Sequence, residues 1–407
     1  MILGFEITNF DVFDYDRCGM LINDSADIAR GVKAKDDVIR LRNLNALIGR
    51  NNTGKTSFLM ALSFVKRCVM HDVASAATMD QRPGFSNLII RKDQAAGFKL
   101  FFRIRGCCKE TESVYIQYEF TIEPTRFGSP VVSSEKILRS VKNGDDIEIV
   151  TILDLDHGTG TIRDTAGNVR ETSISNEHMT ALGVYGMIGE YKEISCIYKE
   201  IDRWFFCQFS SDGINSYYAD GNAPGGHKHL SSTGSNISNV LAYLKQTDEE
   251  KYENVLSEIK SKIPSMRKKK NLPKELEESP DKLFLYLLLL RDPDPHSTIF
   301  IETPDKDLYH DMVDVLADEM REFTLRNPFS QIIFSTHNPY IIESMSPREI
   351  WVFERDFEAA EIDGDGVSIR CAGKDPVVEA MFRQGVGMGA IWYGGHLDSD
   401  NGFEYEE

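Results

Sequence analysis

The chain has 407 residues, of which 41% are hydrophobic and 27% charged, with 30 glycines and 14 prolines. This excludes a small disulfide-stapled module, a collagen-like repeat and a wholly disordered chain. Sixty-four acidic against 46 basic residues give a formal charge of −18, so the average surface repels nucleic acid and any DNA contact needs a local basic patch.

The first elements are short. Residues 1–13 alternate as a strand, and the polar stretch from Asp14 to Arg42 is compatible with a hairpin or a surface excursion. LNALIG at 44–49 is strand-like and runs into NNTGKTSFLMALSFV, where Leu59, Leu62, Phe64 and Val65 predict a mostly buried helix from Lys55 to about Met70. FKLFFRI (98–104) and SVYIQYEFTI (113–122) have the period-two, aromatic and β-branched pattern of antiparallel strands joined by GCCKETE. Further short strands are expected at 130–133, 147–153 and 160–163, so that 98–175 reads as a β-rich lobe. IDRWFFCQFS (201–210) is a buried strand or helix, and the glycine-rich stretch 221–235 breaks regular structure.

A helical pair follows, with Ile237, Val240, Leu241 and Leu244 on one element and Tyr252, Val255 and Ile259 on the next, joined by KQTDEE. The Arg267–Lys270 run with Lys274 reads as a solvated linker, or alternatively as a contact for phosphates or an acidic partner. Beyond it come an apolar helix at 281–290, a buried strand TIFIE at 298–302, a helix at 307–325 and a strand QIIFS at 331–335. Strands alternating with helices predict a predominantly parallel sheet. The last 50 residues hold IWVFERD and VSIRC, then a looser GVGMGAIWYGG stretch and an acidic end.

Seven cysteines form no C-x-x-C pair and show no metal-site spacing with histidine, the pattern of free thiols in a reducing compartment. The longest apolar run, FLYLLLL at 284–290, falls far below the ~18–20 residues of a membrane span, and the start is not leader-like. The expectation is a cytoplasmic protein without membrane contact.

The strongest motif is Gly49-Arg50-Asn51-Asn52-Thr53-Gly54-Lys55-Thr56, a complete G-x-x-x-x-G-K-T between a strand and a helix. Backbone N–H groups of Gly49, Asn51, Asn52, Thr53, Gly54 and the following residues through Ser57 can wrap phosphate oxygens at the positive end of the helix, Lys55 can reach the β and γ phosphates, and Thr56 can hold Mg²⁺. Such a site needs a carboxylate at the end of a neighbouring strand, and Glu302 ends the TIFIE strand. His337, two residues beyond the QIIFS strand, stands where a neutral imidazole can sense a γ-phosphate. ATP and Mg²⁺ are the expected ligands.

With these residues in hand, the sequence resembles the RecF/SMC/OLD-like branch of ABC ATPases, and more narrowly the single-headed AAA-family ATPases of bacterial anti-phage systems. The resemblance rests on ITNF (7–10), GRNNTGKTS (49–57), TGSNISNVLAYL (233–244), IETPDKDLY (301–309) and STHNPYII (335–342), which bracket most of residues 1–345. It implies an α/β fold: an ABC-type P-loop NTPase head with an antiparallel β-rich lobe and a helical subdomain. Lys55 and Thr56 take the Walker A roles, Glu302 the Walker B place with Mg²⁺, and His337 the switch position. The implied division is 1–97 and 281–353 for the two parts of the head, 98–220 for the β-rich lobe and connection, 221–280 for the helical subdomain and linker, and 354–407 for an extension. The family's composite ATP sites form between two heads, which implies a homo-oligomer, at least a dimer.

The chain departs from that family in four ways. Thr303 stands where a second acidic residue usually activates water, so hydrolysis is expected to be weak unless Asp305 substitutes. The signature loop is reduced to Leu276–Lys282, with Ser279 its one plausible remnant, and the short segment after Met266 leaves no room for a long coiled coil. About 60 residues follow Met345, too few for a TOPRIM nuclease, although they include Glu354, Asp356, Glu358, Glu361, Asp363 and Asp365. The leading reading is an ATP-binding sensor or scaffold subunit of an anti-phage defence complex that controls a separate effector protein, with DNA or a phage protein as trigger. The alternatives are a RecF-like DNA-repair ATPase dimerising on DNA and a nucleotide-binding structural subunit without turnover.

Overall fold

The computed structural model describes residues 1–19, 39–107, 113–125, 128–143, 146–209, 228–263, 282–356 and 366–398. The basic run 267–274, Ser279 and the carboxylates Glu358, Glu361, Asp363 and Asp365 lie outside these residues.

Two sheets form the frame among the described residues. The first is antiparallel, in the order β2-β1-β4-β5-β6-β7-β8-β9, built from β1 (Ile2–Phe10), β2 (Phe13–Gly19), β4 (Ala96–Arg105), β5 (Ser113–Pro124), β6 (Pro130–Asn143), β7 (Asp146–Asp156), β8 (Thr159–Arg163) and β9 (Val169–Ser173). The strands expected at 130–133 and 147–153 are therefore much longer, because β6 and β7 pair along their whole length from Ser134–Asp156 to Asn143–Asp146. The N-terminal hairpin joins this sheet through β1 against β4, so residues 2–19 and 96–173 make one surface.

The second sheet has the order β10-β11-β12-β3-β13-β14, with β3 (Leu44–Ile48), β10 (Trp204–Cys207), β11 (Thr298–Glu302), β12 (Gln331–Ser335), β13 (Ile350–Arg355) and β14 (Val367–Cys371). All its pairs are parallel except the β13–β14 hairpin, as the alternation of strands and helices predicts. IDRWFFCQFS resolves into the end of helix Lys192–Asp202 followed by strand β10.

Helix α1 (Lys55–Met70) lies between the sheets. Phe58 shows this directly, since its ring sits 5.6 Å from Phe5 of β1 and 5.6 Å from Phe353 of β13, both edge-on. Strand periodicity divides the parallel sheet between two cores. Leu47, Phe300, Ile333 and Phe353 face α1 and the antiparallel sheet. Ala46, Ile48, Ile299, Ile301, Ile332 and Phe334 face the opposite layer, which holds α2 (Ile237–Thr247), α3 (Glu249–Lys262), α4 (Lys282–Leu289) and α5 (His310–Arg326). Every residue of α4 is buried, the environment that its apolar run from Leu283 to Leu289 requires. The α2–α3 pair is the predicted one, although its connection is the single residue Asp248, which caps α3 by accepting the Lys251 N–H.

Buried Gln331 ties the sheets together. Its amide oxygen accepts the Ile2 N–H at 3.1 Å and its NH₂ donates to the carbonyls of Ile2 and Arg42 at 2.9 and 2.7 Å. The stretch from Gly385, expected to be loose, instead holds helix α7 (Met388–Tyr393), and helix α6 (Pro376–Arg383) precedes it. Val378, Met388 and Ile391 anchor these helices by entering the second core. No described helix is long and apolar enough to cross a membrane, and none forms a long coiled coil.

Candidate functional site: a phosphate loop facing a strand-end carboxylate

The loop between β3 and α1 is shaped by backbone positions that only particular residues tolerate. Gly49 has φ +141, and a Cβ there would lie 2.1 Å from the Phe353 carbonyl oxygen of β13, so a side chain is excluded. Asn52 and Gly54 also have positive φ, 63° and 99°. Gly54 precedes α1, where its φ of +99 favours glycine, with Val12 and Phe13 packed close against its Cα. The helix thus starts with its free N–H groups and positive field directed at the loop.

Lys55 folds back over this loop. Its ammonium donates to the carbonyls of Gly49 and Arg50 at 2.8 and 2.6 Å and approaches Thr53 Oγ1 at 3.3 Å. Burial pushes its pKa down to about 8, against the opposing pull of the Glu302 carboxylate. Thr53 in turn donates to the Arg50 carbonyl at 2.9 Å, closing the turn from within.

Parallel pairing places the other groups. Glu302 is opposite Ser335 across β11 and β12, and Ser335 is opposite Leu47 of β3. The strand carrying the carboxylate is therefore separated from the loop-bearing strand by one strand, and all three end on the same side. There Thr56 donates its hydroxyl to Glu302 Oε1. His337 follows β12 and lines a cleft of about 570 Å³ with Asn51, Asn52, Thr53, Gly54, Lys55, Thr56 and Ser57. Burial and the nearby Lys55 charge lower the His337 pKa, partly offset by Asp305, and the net lowering favours the neutral ring.

Every predicted site residue thus falls in or around one cleft. Gly49 shapes its floor and Glu302 meets it through Thr56. Asp305, weighed as a substitute base, is engaged elsewhere: it accepts a hydrogen bond from Thr336 Oγ1 at 2.7 Å, which holds the segment leading to His337. Two lining residues escaped the sequence reading, Val12 and Arg355. Arg355 Nη1 reaches the Asn52 carbonyl at 3.4 Å. Val12 gave no signal beyond its position after ITNF, whereas a basic residue at the end of β13, next to the loop strand, was a legible hint. ITNF itself acts through Asn9, at φ 51, whose side chain accepts the Arg91 N–H at 2.7 Å and donates to the carbonyls of Arg91 and Gln94.

The described residues form an α/β P-loop fold, with the G-x-x-x-x-G-K-T loop between β3 and α1 of a mainly parallel sheet that packs beside an antiparallel one. Residues 281–343, which span α4 to the His337 segment, match the family described as "AAA domain, putative AbiEii toxin, Type IV TA system". No curated protein matches the chain. Among solved structures, the chain is similar to an SMC head bound to the C-winged helix domain of ScpA, with 14% identity, 92% of this chain and 99% of that one covered, and a TM-score of 0.48. It is also similar to the SMC head domain from Thermotoga maritima, with 12% identity, 91% and 98% coverage and a TM-score of 0.38. A third similar structure is the Smc head domain with an extended coiled coil bound to the C-terminal domain of ScpA from Pyrococcus furiosus, with 11% identity, 94% and 99% coverage and a TM-score of 0.43.

The donor set fits a nucleoside triphosphate with its magnesium ion. Gly49, whose Cβ the Phe353 carbonyl would meet at 2.1 Å, and Gly54, at φ +99, keep the loop backbone open, and the buried ammonium is held on loop carbonyls with no carboxylate bonded to it among the described residues. The hydroxyl and carboxylate of Thr56 and Glu302 are hard oxygen donors of the kind Mg²⁺ takes. When bound, the ion would neutralise phosphate charge. Loop N–H groups and Lys55 would hold the phosphates, and neutral His337 could donate to or accept from a terminal phosphate or its attacking water.

Proposed function

We propose that this protein is an ATP-binding sensor or scaffold subunit of a bacterial anti-phage defence complex, which controls a separate effector through nucleotide-dependent assembly and hydrolyses ATP weakly. The observation that carries the reading is the convergence of Lys55, Thr56, Glu302 and His337 on one cleft whose next acidic position is Thr303. That arrangement binds ATP·Mg²⁺ and orients it, but supplies no carboxylate for water activation at residue 303. The defence context is supported by the match of residues 281–343 to a family described in terms of a toxin system. Exposed rings at the same end of the sheet, Tyr309 at 77% and Tyr340 at 58% exposure, favour a second head or an effector covering the γ-phosphate side. A threonine in place of the acid also favours a second reading, a subunit that holds nucleotide constitutively.

Analytical ultracentrifugation with and without a non-hydrolysable ATP analogue separates these. Assembly of the intact protein that strengthens with the analogue and disappears in Lys55→Ala is expected. A protein that stays monomeric at every concentration, also with the product of its neighbouring gene present, contradicts the assembly reading. Nucleotide that co-purifies and never exchanges favours the constitutive one.

A further inference from the structure

A second cluster of ligand-type side chains lies at the other end of β11 from Glu302. His229 comes from the loop before α2, and Asp292 and His296 come from the loop between α4 and β11. One donor atom from each lies within 4.8 Å of the other two. His229 Nδ1 is 2.6 Å from Asp292 Oδ2, and Asp292 is held in place because Oδ1 accepts the Asp294 N–H at 2.9 Å. The His296 ring stacks on Phe205 with centroids 4.5 Å apart and lies 5.6 Å from the His229 ring.

A histidine–aspartate hydrogen bond beside a packed histidine would account for most of this. It does not account for His296 Nε2, which is buried without a hydrogen-bond partner among the described residues. Buried polar atoms are nearly always satisfied, so one left over beside an imidazole and a carboxylate asks for a ligand. The surroundings also rank the carboxylates. Asp294 Oδ2 lies 3.8 Å from His229 Nε2, but Asp294 is engaged by Arg203 at 2.7 Å and Lys228 at 2.9 Å, which leaves Asp292 the closer and freer acid beside the imidazoles. Pro293 and Pro295 fix the backbone between Asp292 and His296, so these two positions are presented by a stiff loop.

We propose that His229, Asp292 and His296 form a binding site for a divalent transition-metal ion, with zinc the best match. Two imidazole nitrogens and one carboxylate oxygen suit Zn²⁺, whereas Mg²⁺ and Ca²⁺ prefer oxygen throughout. Donors at about 2.1 Å from a tetrahedral ion stand about 3.4 Å apart, so the widest pair here has to close by no more than about 1.4 Å, a side-chain adjustment. Three protein donors leave one position for water or an external ligand. The ion would tie the loop entering the α2–α3 pair to the edge of the parallel sheet. It is a site separate from the ATP cleft.

The test uses full-length protein without nucleotide, stripped with a chelator and dialysed, then titrated with Co²⁺ and back-titrated with Zn²⁺. Expected are one Co²⁺ per chain with the visible absorption of tetrahedral coordination, displacement by one Zn²⁺, and a Zn²⁺-dependent rise in Tm. Asp292→Asn and His296→Phe, the latter keeping the stack on Phe205, should each weaken Co²⁺ binding at least tenfold. Lys55→Ala and Glu302→Gln should leave it intact. Should His296→Phe fail to fold, His229→Gln, whose ring is less buried, serves the same purpose. A missing tetrahedral spectrum, or a spectrum and stoichiometry unchanged in the folded variants, overturns the proposal.

Discussion

Thr56 and Glu302 are 246 residues apart in sequence, and the hydroxyl of one donates to the carboxylate of the other. The contact exists because α1 begins at the end of β3 while β11 ends beside it, one strand away. Both groups are hard oxygen donors on rigid elements, so their encounter marks the point where a phosphate-bound Mg²⁺ is expected to sit. Thr56→Val and Glu302→Gln each remove one donor. Bonds to charged groups contribute roughly 1.5–3 kcal/mol, so each variant should lose about ten- to a hundredfold of the Mg²⁺-dependent gain in ATP affinity while retaining metal-free nucleotide binding by the loop. Calorimetry with and without Mg²⁺ checks this, and equal Mg²⁺ enhancement in all three folded proteins removes the assignment.

Lys55 gives a pH signature. Its pKa is lowered to about 8 by burial, so the folded, nucleotide-free protein holds fewer protons than the unfolded chain between about 8 and 10.5. Stability from this group is lowest below pH 8 and recovers as pH rises through that window. Bound phosphates restore the charged form, so ATP binding near pH 8 and above should take up a proton. Calorimetry in two buffers of different ionisation enthalpy reads the uptake directly. It should be up to one proton per site, absent in Lys55→Met, and small for the intact protein at pH 7.

His337 should discriminate ATP from ADP. Its neutral ring lies in the loop cleft, so His337→Ala should lower the ratio of ATP to ADP affinity by roughly tenfold or more, the scale of one hydrogen bond to a charged group, with ADP affinity nearly unchanged. A loss shared equally between the two nucleotides would place the histidine's contribution away from the γ-phosphate.

Much of this cleft was legible in sequence because its parts are local. The loop motif, the apolar strand ending in Glu302 and the histidine two residues past QIIFS each carry their own pattern. What could not be read were relationships between distant segments. The 14-residue length of β6 depends on its partner β7. The helicity of Met388–Tyr393 depends on burial of Met388 and Ile391 in a core built elsewhere. His229 lies 63 residues from Asp292, so no spacing rule linked them. The role of Gly49 was legible as motif, but its reason, the Phe353 carbonyl 2.1 Å from a would-be Cβ, comes from a strand 304 positions later. Gly49→Ala therefore displaces β13 or the loop. Overpacking and positive-φ strain together should cost about 2 kcal/mol or more, measured by chemical denaturation, with loss of ATP binding.

Thr303 brings the catalytic question to a single backbone position. It has φ +43, a conformation costly for a β-branched residue. The strand end holds it there: its N–H donates to the Ser335 carbonyl at 3.0 Å, its carbonyl accepts the Lys306 N–H at 3.1 Å, and Lys282 donates to the Lys306 carbonyl at 2.8 Å. Thr303→Gly relieves about 1–2 kcal/mol of strain but frees the unfolded chain by about 0.4–1 kcal/mol, so a net stabilisation of about 0–1.6 kcal/mol is expected in thermal or urea unfolding. Thr303→Glu keeps the position and adds the carboxylate that the site lacks. A positioned general base contributes about 10²–10⁴-fold, and phosphate release at saturating ATP and Mg²⁺ should rise toward that range in Thr303→Glu and fall below the intact protein in Glu302→Gln. Rapid turnover by the intact protein that survives Glu302→Gln would falsify both the weak-hydrolysis reading and the placement of this strand end. Rapid turnover lost in Glu302→Gln keeps the strand end and shifts the search for the base to a neighbour such as Asp305, whose bond to Thr336 would then have to open.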